Sequence, residues 1–175
     1  MIIVDTALAQ RAAEGRPVRV GMIGAGFMAW GISNQICNYI PGMTLAAVSN
    51  RTLSGAEKAY AEAGITTTQH VTSAAELDAA IDAGIPCVTS DPHVLCAAKN
   101  IDVLIEVTGT VEFAAGVLLD AFAHGKSVVM IDPFLTGNPA FGGMMGTGGS
   151  TGVEYLAASL HRPVYPDLWA NRSRM

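Results

Sequence analysis

Gly24-Ala25-Gly26-Phe27-Met28-Ala29 has the spacing G-x-G-x-x-G/A, and residue types in that order suit one kind of chemistry, the holding of a diphosphate. Gly24 permits a tight turn that a Cβ would obstruct, and Gly26 lets the backbone approach a pyrophosphate. Ala29 is small enough for a helix to pack against the preceding strand. Amides at the start of that helix point outward at the positive end of its dipole, so an anion is the natural ligand. The spacing alone is a weak signal and gains force from its context. The apolar run VRVGMI, residues 18–23, precedes it. Met28, Ile32, Ile36 and Ile40 follow as an i, i+4 stripe with Ala29 and Cys37 beside it, and Pro41-Gly42 ends the helix. The reading is a dinucleotide site with contacts from Gly24, Ala25, Gly26, Phe27 and Met28.

Two further stretches bear on the cofactor. In a sheet of this kind the tip of the second strand meets the adenosine ribose, and an acidic residue there selects NAD through the 2′-hydroxyl. This chain has Asn50-Arg51-Thr52 after MTLAAVS, residues 43–49, with no Asp or Glu nearby. A guanidinium binds a 2′-phosphate in bidentate fashion, so NADP is the expected cofactor and NAD the alternative. The bland reading of Arg51 is a solvated loop arginine. The third stretch is Thr108-Gly109-Thr110, which follows the apolar run IDVLIEV, residues 101–107. As the fourth strand of the sheet, that run would end beside the fingerprint at the topological switch point, where ligands of open α/β sheets sit.

No catalytic residue is identified. His124, Glu106 and Asp132 are the tempting groups, and none has a recognisable partner. Cys37, Cys87 and Cys96 are odd in number and irregular in spacing, as for reduced, buried thiols. Asp91, His93 and Cys96 are ligand types, but no second cysteine or histidine pair completes a site, so no metal is expected.

The elements that must carry these residues alternate along the chain. Val4, Leu8 and Ala12 mark a short amphipathic leading helix within residues 1–17 that packs on the domain's edge. Ser54-x-x-Glu57 and Ser73-x-x-Glu76 are capping boxes that start helices near 54–63 and 73–83. Ile65 to Val71 is a short third strand with His70 at its edge, and Pro86 to Pro92 is a loop or brief strand. Thr110 caps a helix from Val111 to His124 with Glu112 in its first turn, Gly125 ends it, and KSVVMI, residues 126–131, is the fifth strand. The pattern specifies an α/β fold, a doubly wound parallel sheet of the Rossmann type with strand order 3-2-1-4-5 over residues 18–131. Trp30 lies roughly 140° from the centre of the Met28–Ile40 stripe at 100° per residue. It is therefore covered by another element or chain, or lies exposed near the groove, where it would crowd a diphosphate.

Composition bounds the rest. The 175 residues suffice for a buried core. Charged residues are 14% against a usual ~25%, hydrophobic ones are 50%, and Gly is abundant, as in a buried parallel sheet. A net charge of −5 excludes a basic footprint for nucleic acid. The longest apolar or glycine run, Gly21 to Ile32, is well short of the ~20 residues that span a membrane. The start MIIVD lacks a basic leader, so the cytoplasm is the expected compartment.

From Met1 to about Met130 the chain resembles the nucleotide-binding domain of homoserine-dehydrogenase-like oxidoreductases, the group whose longer members end in a SAF domain. The matching stretches are MIIVDTAL, RVGMIGAGFMA, SNRTL, DVLIEVTGTVEF and HGKSVVM. The resemblance implies NAD(P) binding by Gly24 to Met28, adenosine-ribose contacts at Asn50 and Arg51, and a nicotinamide-side role for Thr108 and Gly109. In that group the fifth strand runs into an Asn-Ala-Glu segment and a substrate domain with the catalytic lysine, whereas this chain has Asp132-Pro133-Phe134-Leu135. IDPFLTGNP, residues 131–139, resembles a segment of metallo-β-lactamase-fold hydrolases without their histidine motif. MGTGGSTGVEYL, residues 145–156, and PDLWANRS resemble the carboxyl terminus of tryptophan 2,3-dioxygenases, in which Thr147 and its neighbours would help to hold the substrate amino acid. Read from the residues alone, Gly142 to Gly152 is a loop before a helix at Val153 to Leu160.

The expectation is thus an NADP-binding domain of oxidoreductase descent, acting on a small carbonyl or hydroxy acid if active. A loop-rich tail, residues 132–175, stands in place of a full substrate domain. The alternatives are a non-catalytic nucleotide-binding module and a rearranged composite chain. A homo-oligomer or a second-domain partner would cover the apolar face left where a substrate domain packs.

Overall fold

The computed structural model describes residues 3–131. Asp132, Thr147, the Gly142–Gly152 loop and the Val153–Leu160 helix lie outside the described residues. Twelve elements alternate: α1 (Ile3–Ala13), β1 (Val18–Ile23), α2 (Phe27–Asn38), β2 (Met43–Ser49), α3 (Leu53–Ala61), β3 (Gln69–His70), α4 (Ala74–Asp82), β4 (Cys87–Thr89), α5 (Pro92–Ala97), β5 (Val103–Glu106), α6 (Val111–Ala123) and β6 (Ser127–Met130). All strand pairs are parallel, in the order β3-β4-β2-β1-β5-β6. This is the doubly wound sheet that the alternation implies, with α2 packed beside α3 and α5 beside α4 and α6.

The five expected strands keep their order, and a sixth is interposed. Cys87–Thr89, read as a loop or brief strand, is a fully buried strand that pairs with Ala47–Ser49 of β2 on one side and with Gln69–His70 on the other. Order 3-2-1-4-5 is therefore corrected: β4 separates the third strand from the second. The expected strand Ile65–Val71 shrinks to the exposed pair Gln69–His70. Its threonines and histidine suit a wet edge, while CVT suits the interior.

The core gathers on β1 and its neighbours. Val20, Met22, Leu45, Val48, Tyr60 and Ile105 are buried in one cluster with Ala29 and Ile36 of α2. Tyr60 is fully buried with its hydroxyl donating to the Leu45 carbonyl at 3.0 Å, and burial pushes its ionisation well above the usual phenol range. Gly21 makes room on the strand: a Cβ there would lie 2.8 Å from Leu104 Cδ2.

Three helix details differ from expectation. The buried face of α2 is Ala29, Ser33 and Ile36, one position round from the Met28 stripe, and Met28 is 57% exposed. Small residues must face the sheet where helix and strand approach most closely. Helix α3 starts at Leu53 with Thr52 as its N-cap, so the Ser54 capping box does not form. Asn50 Nδ2 donates to the Thr52 carbonyl at 3.0 Å and to its hydroxyl at 3.2 Å, committing that side chain elsewhere. The Ser73 box does form: its hydroxyl accepts from the Glu76 amide at 3.3 Å, while the Glu76 carboxylate reaches past Ser73 to the Thr72 amide at 2.8 Å. That amide bond is the main reason the Glu76 carboxyl is held below its usual range. The leading helix lies with its Leu8 backbone against Gly42, and Leu8 is half-buried while Ala12 is exposed.

Candidate functional site

The sheet order reverses between β1 and β5, whose last residues, Ile23 and Glu106, pair with each other. In open α/β sheets, ligands sit in a crevice outside such carboxyl ends. From β1 the chain enters Gly24 at φ +106°, where its amide donates to the Ser49 carbonyl at 2.8 Å. A Cβ on Gly24 would stand 2.9 Å from the Val107 carbonyl carbon and oxygen and 3.0 Å from the Thr108 amide nitrogen. The two strand ends thus pack backbone on backbone, as only glycine allows. Gly26 is the N-cap of α2, and a Cβ there would meet nothing within 4 Å. The first turn of α2 holds no acidic side chain, and Phe27 is 81% exposed.

Trp30 is turned back onto this turn. Its indole Nε1 donates to the Ala25 carbonyl at 3.1 Å, Phe27 stands edge-on at 6.0 Å between centroids, and Lys58 of α3 lies over the ring at 4.2 Å. The residue is half-buried against the core cluster and also lines an open groove, so it is covered in part by α3 and exposed in part beside that groove. Phe27, Met28, Trp30, Ile32 and Ile131 are among the residues that line this open, largely apolar groove.

At the tip of β2, Ser49 is buried and the Asn50 amide donates to the Thr89 carbonyl at 3.0 Å. Arg51 is exposed and forms no ion pair among the described residues. On the far side of the crevice, Glu106 is completely buried. Its Oε1 accepts from the Thr108 amide at 2.8 Å and from the Thr108 hydroxyl, and its Oε2 has no hydrogen-bond partner. The Thr108 hydroxyl accepts in turn from the Thr110 amide at 3.3 Å, across Gly109 at φ +67°. Thr110 is the N-cap of α6, as expected, but its side chain makes no capping bond.

The fold brings Gly24 to Met28 together with Thr108 to Thr110 at the switch point, and sets Asn50 and Arg51 at the neighbouring strand tip. Two other groups fall away. His124 is the C-cap of α6, on the order of 20 Å from Thr110 at 1.5 Å per residue. Its Nδ1 is bonded to the Asp120 carbonyl at 2.9 Å. Asp120 also takes His93 Nδ1 at 2.7 Å, and this contact chiefly holds its carboxyl below the usual range. Asp91 is the N-cap of α5, accepting from the His93 amide at 2.9 Å. The Glu106–Thr108 pair is the feature that residue spacing missed. The available signal was an acid, Glu106, closing the apolar run VLI.

Burial pushes the Cys96 thiol up to about 12 and the Cys87 thiol to about 11, and raises that of half-buried Cys37. Only the thiolate is nucleophilic, so buried Cys87 and Cys96 are not expected to react with a disulfide reagent at pH 8 within minutes under native conditions, and half-buried Cys37 is expected to react before them. All should react once urea unfolds the chain, and a fast native phase of more than one thiol would contradict the buried placement of Cys87 and Cys96.

No family model matches the chain. A stretch of 41 residues is 46% identical to tryptophan 2,3-dioxygenase from Caulobacter vibrioides, covering 23% of this chain and 16% of that protein. Among solved structures, apo scyllo-inositol dehydrogenase from Lactobacillus casei superimposes with a TM-score of 0.53 at 15% identity, over 82% of this chain and 33% of that one. A 3-ketoreductase from Actinomadura kijaniata in complex with TDP-benzene and NADP gives 0.52 at 19% identity, over 82% and 36%. An NAD binding oxidoreductase from Klebsiella pneumoniae gives 0.51 at 18% identity, over 82% and 32%. The chain therefore shares its fold with solved nicotinamide-dependent oxidoreductases and spans about a third of their length.

Proposed function

We propose that the chain is a dinucleotide-binding domain of oxidoreductase descent that takes NADP(H) at the switch point. The observation that carries this reading is the open space over Gly26 at the start of α2, two residues after Gly24, which packs on Val107 and Thr108 at the β1–β5 junction. The residues present fit the cofactor. Amides of Gly26, Phe27 and Met28 would hold the diphosphate, Arg51 the 2′-phosphate and Asn50 the adenosine ribose, with Thr108 and Gly109 beside the nicotinamide. When bound, the dinucleotide supplies the hydride, and the protein's part is to orient it and exclude water. Homoserine-dehydrogenase-like lineage and a small carbonyl or hydroxy acid as substrate belong to the same proposal, supported by the sequence resemblance over residues 1–130. A second domain or a second copy would complete the substrate side over the apolar groove of Phe27, Met28 and Ile131.

Titration calorimetry with NADPH and NADH tests the reading. NADPH is expected to bind at least tenfold more tightly, because a charge-assisted bond from Arg51 contributes about 1.5–3 kcal/mol. Arg51→Ala should bring the two affinities together by weakening NADPH alone. Absence of binding by either nucleotide would overturn the reading, and tighter NADH binding would overturn the choice of NADP.

A further inference from the structure

Glu106 is the one fully buried carboxyl group among the described residues, and it stands at the last position of β5, in register with Ile23 just before the fingerprint turn. Both donors of Thr108, its amide and its hydroxyl, are given to a single oxygen, Oε1, while Oε2 meets no donor. A group present only to fill the core would leave that buried acceptor uncompensated, which is unfavourable. The two bonds to Thr108 do have a definite effect. They commit the only hydroxyl proton of Thr108 inward, so towards solvent this hydroxyl is an acceptor. It already acts as one for the Thr110 amide. Thr108 is half-buried and followed by exposed Gly109 and Thr110, so the acceptor stands at the rim of the crevice.

We propose that Glu106 is a positioning residue for the nicotinamide half of the dinucleotide. By binding both protons of Thr108 it fixes the β5–α6 turn and presents the Thr108 oxygen to a hydrogen-bond donor on the nicotinamide itself, the carboxamide amino group. This rests on the dinucleotide reading above and adds to it the polarity of the contact: the protein accepts and the ligand donates. Residues of the fingerprint and Arg51 serve the other half of the molecule, so the two halves are separable by experiment.

The test compares NADPH with 2′-phospho-ADP-ribose, which lacks nicotinamide, on the wild-type chain and three variants, each checked for cooperative melting. Glu106→Met removes the acceptor at nearly constant shape, and NADPH is expected to weaken about tenfold while 2′-phospho-ADP-ribose is unchanged. Glu106→Gln keeps an oxygen for both Thr108 protons and should stay within about twofold of wild type for both ligands. Thr108→Val, which keeps Glu106 but has no oxygen to offer, should repeat the selective loss even where the methionine variant fails to fold. Equal weakening of both ligands, or no weakening of NADPH in either Glu106→Met or Thr108→Val, overturns the proposal. Wild-type binding of 2′-phospho-ADP-ribose alongside that result would leave the dinucleotide reading standing, whereas binding of neither ligand by wild type overturns both.

Discussion

Alanine at Gly24 is expected to cost stability, whereas alanine at Gly26 is expected to leave stability nearly unchanged and to cost nucleotide affinity. At Gly24 the backbone sits at φ +106°, a conformation that costs other residues on the order of 1–2 kcal/mol, and the new methyl would press on Val107 and Thr108. All three nearest atoms are backbone, so no side chain rotates away, and the end of β1 must separate from the end of β5. A loss of about 3 kcal/mol or more follows, a large share of the 5–15 kcal/mol typical of a domain. At Gly26 the backbone is extended, φ −76° and ψ −171°, and the added carbon meets nothing, so urea unfolding should change by less than about 0.5 kcal/mol. Yet the same carbon would occupy the space through which a diphosphate reaches the α2 amides, and NADPH affinity should fall about a hundredfold. A Gly26→Ala chain that binds NADPH like wild type would remove the observation on which the site rests.

Gly42→Ala should show the reverse separation. Gly42 turns the chain from α2 into β2 at φ +83°, and a Cβ there would stand 2.0 Å from the Leu8 carbonyl oxygen, 2.7 Å from its carbonyl carbon and 3.1 Å from its Cα. The leading helix has to leave its seat. The Gly42 carbonyl also accepts from the Val18 amide at 2.7 Å, so the first residue of β1 is disturbed as well. Strain and lost packing together cost about 2 kcal/mol, and the melting temperature should fall by roughly 4–8 °C. Because Gly42 precedes β2 while the crevice lies at the carboxyl ends of the strands, nucleotide affinity should stay within about twofold. Circular dichroism on heating and a parallel titration check both halves. Coupled losses would mean that the leading helix supports the crevice.

These contrasts explain what could be read from residue order. The turn at Gly24 is local: the strand before it, the two glycines and the small residue at position 29 lie within a dozen positions, so the pattern carries its own context. Strand β4 is the opposite case. Three residues between Pro86 and Asp91-Pro92 carry no periodicity, and their strand character comes from β2 and β3 pairing on either side, residues distant in the chain. The same holds for the N-cap at Thr52. Thr52 and Ser54 both fit the local pattern, and what excludes the later start is the Asn50 amide that takes the Thr52 oxygens. For Trp30, a helical wheel carries no information on the neighbouring helix, which supplies Lys58 over the ring, nor on the core cluster it packs against. Glu106 stood out as an acid in an apolar run, while its partner two residues on became visible only once the turn had geometry.

The strand order also dictates when the site comes into being. Val18 pairs with Met43 across a single helix, so β1, α2 and β2 form a contiguous unit that closes with a short loop. Val20 pairs with Val103, so that contact closes a much longer loop, spanning β2 to α5. Parallel pairings between distant segments are slow to form because chain entropy is lost before they reward it. The β1–β2 unit is therefore expected to form before the Thr108 turn, and the crevice is complete only when β5 docks. A ligand that bridges the two would bind the finished sheet alone and would act mainly by slowing the release of β5, so its effect should be read in the unfolding rate more than in the refolding rate.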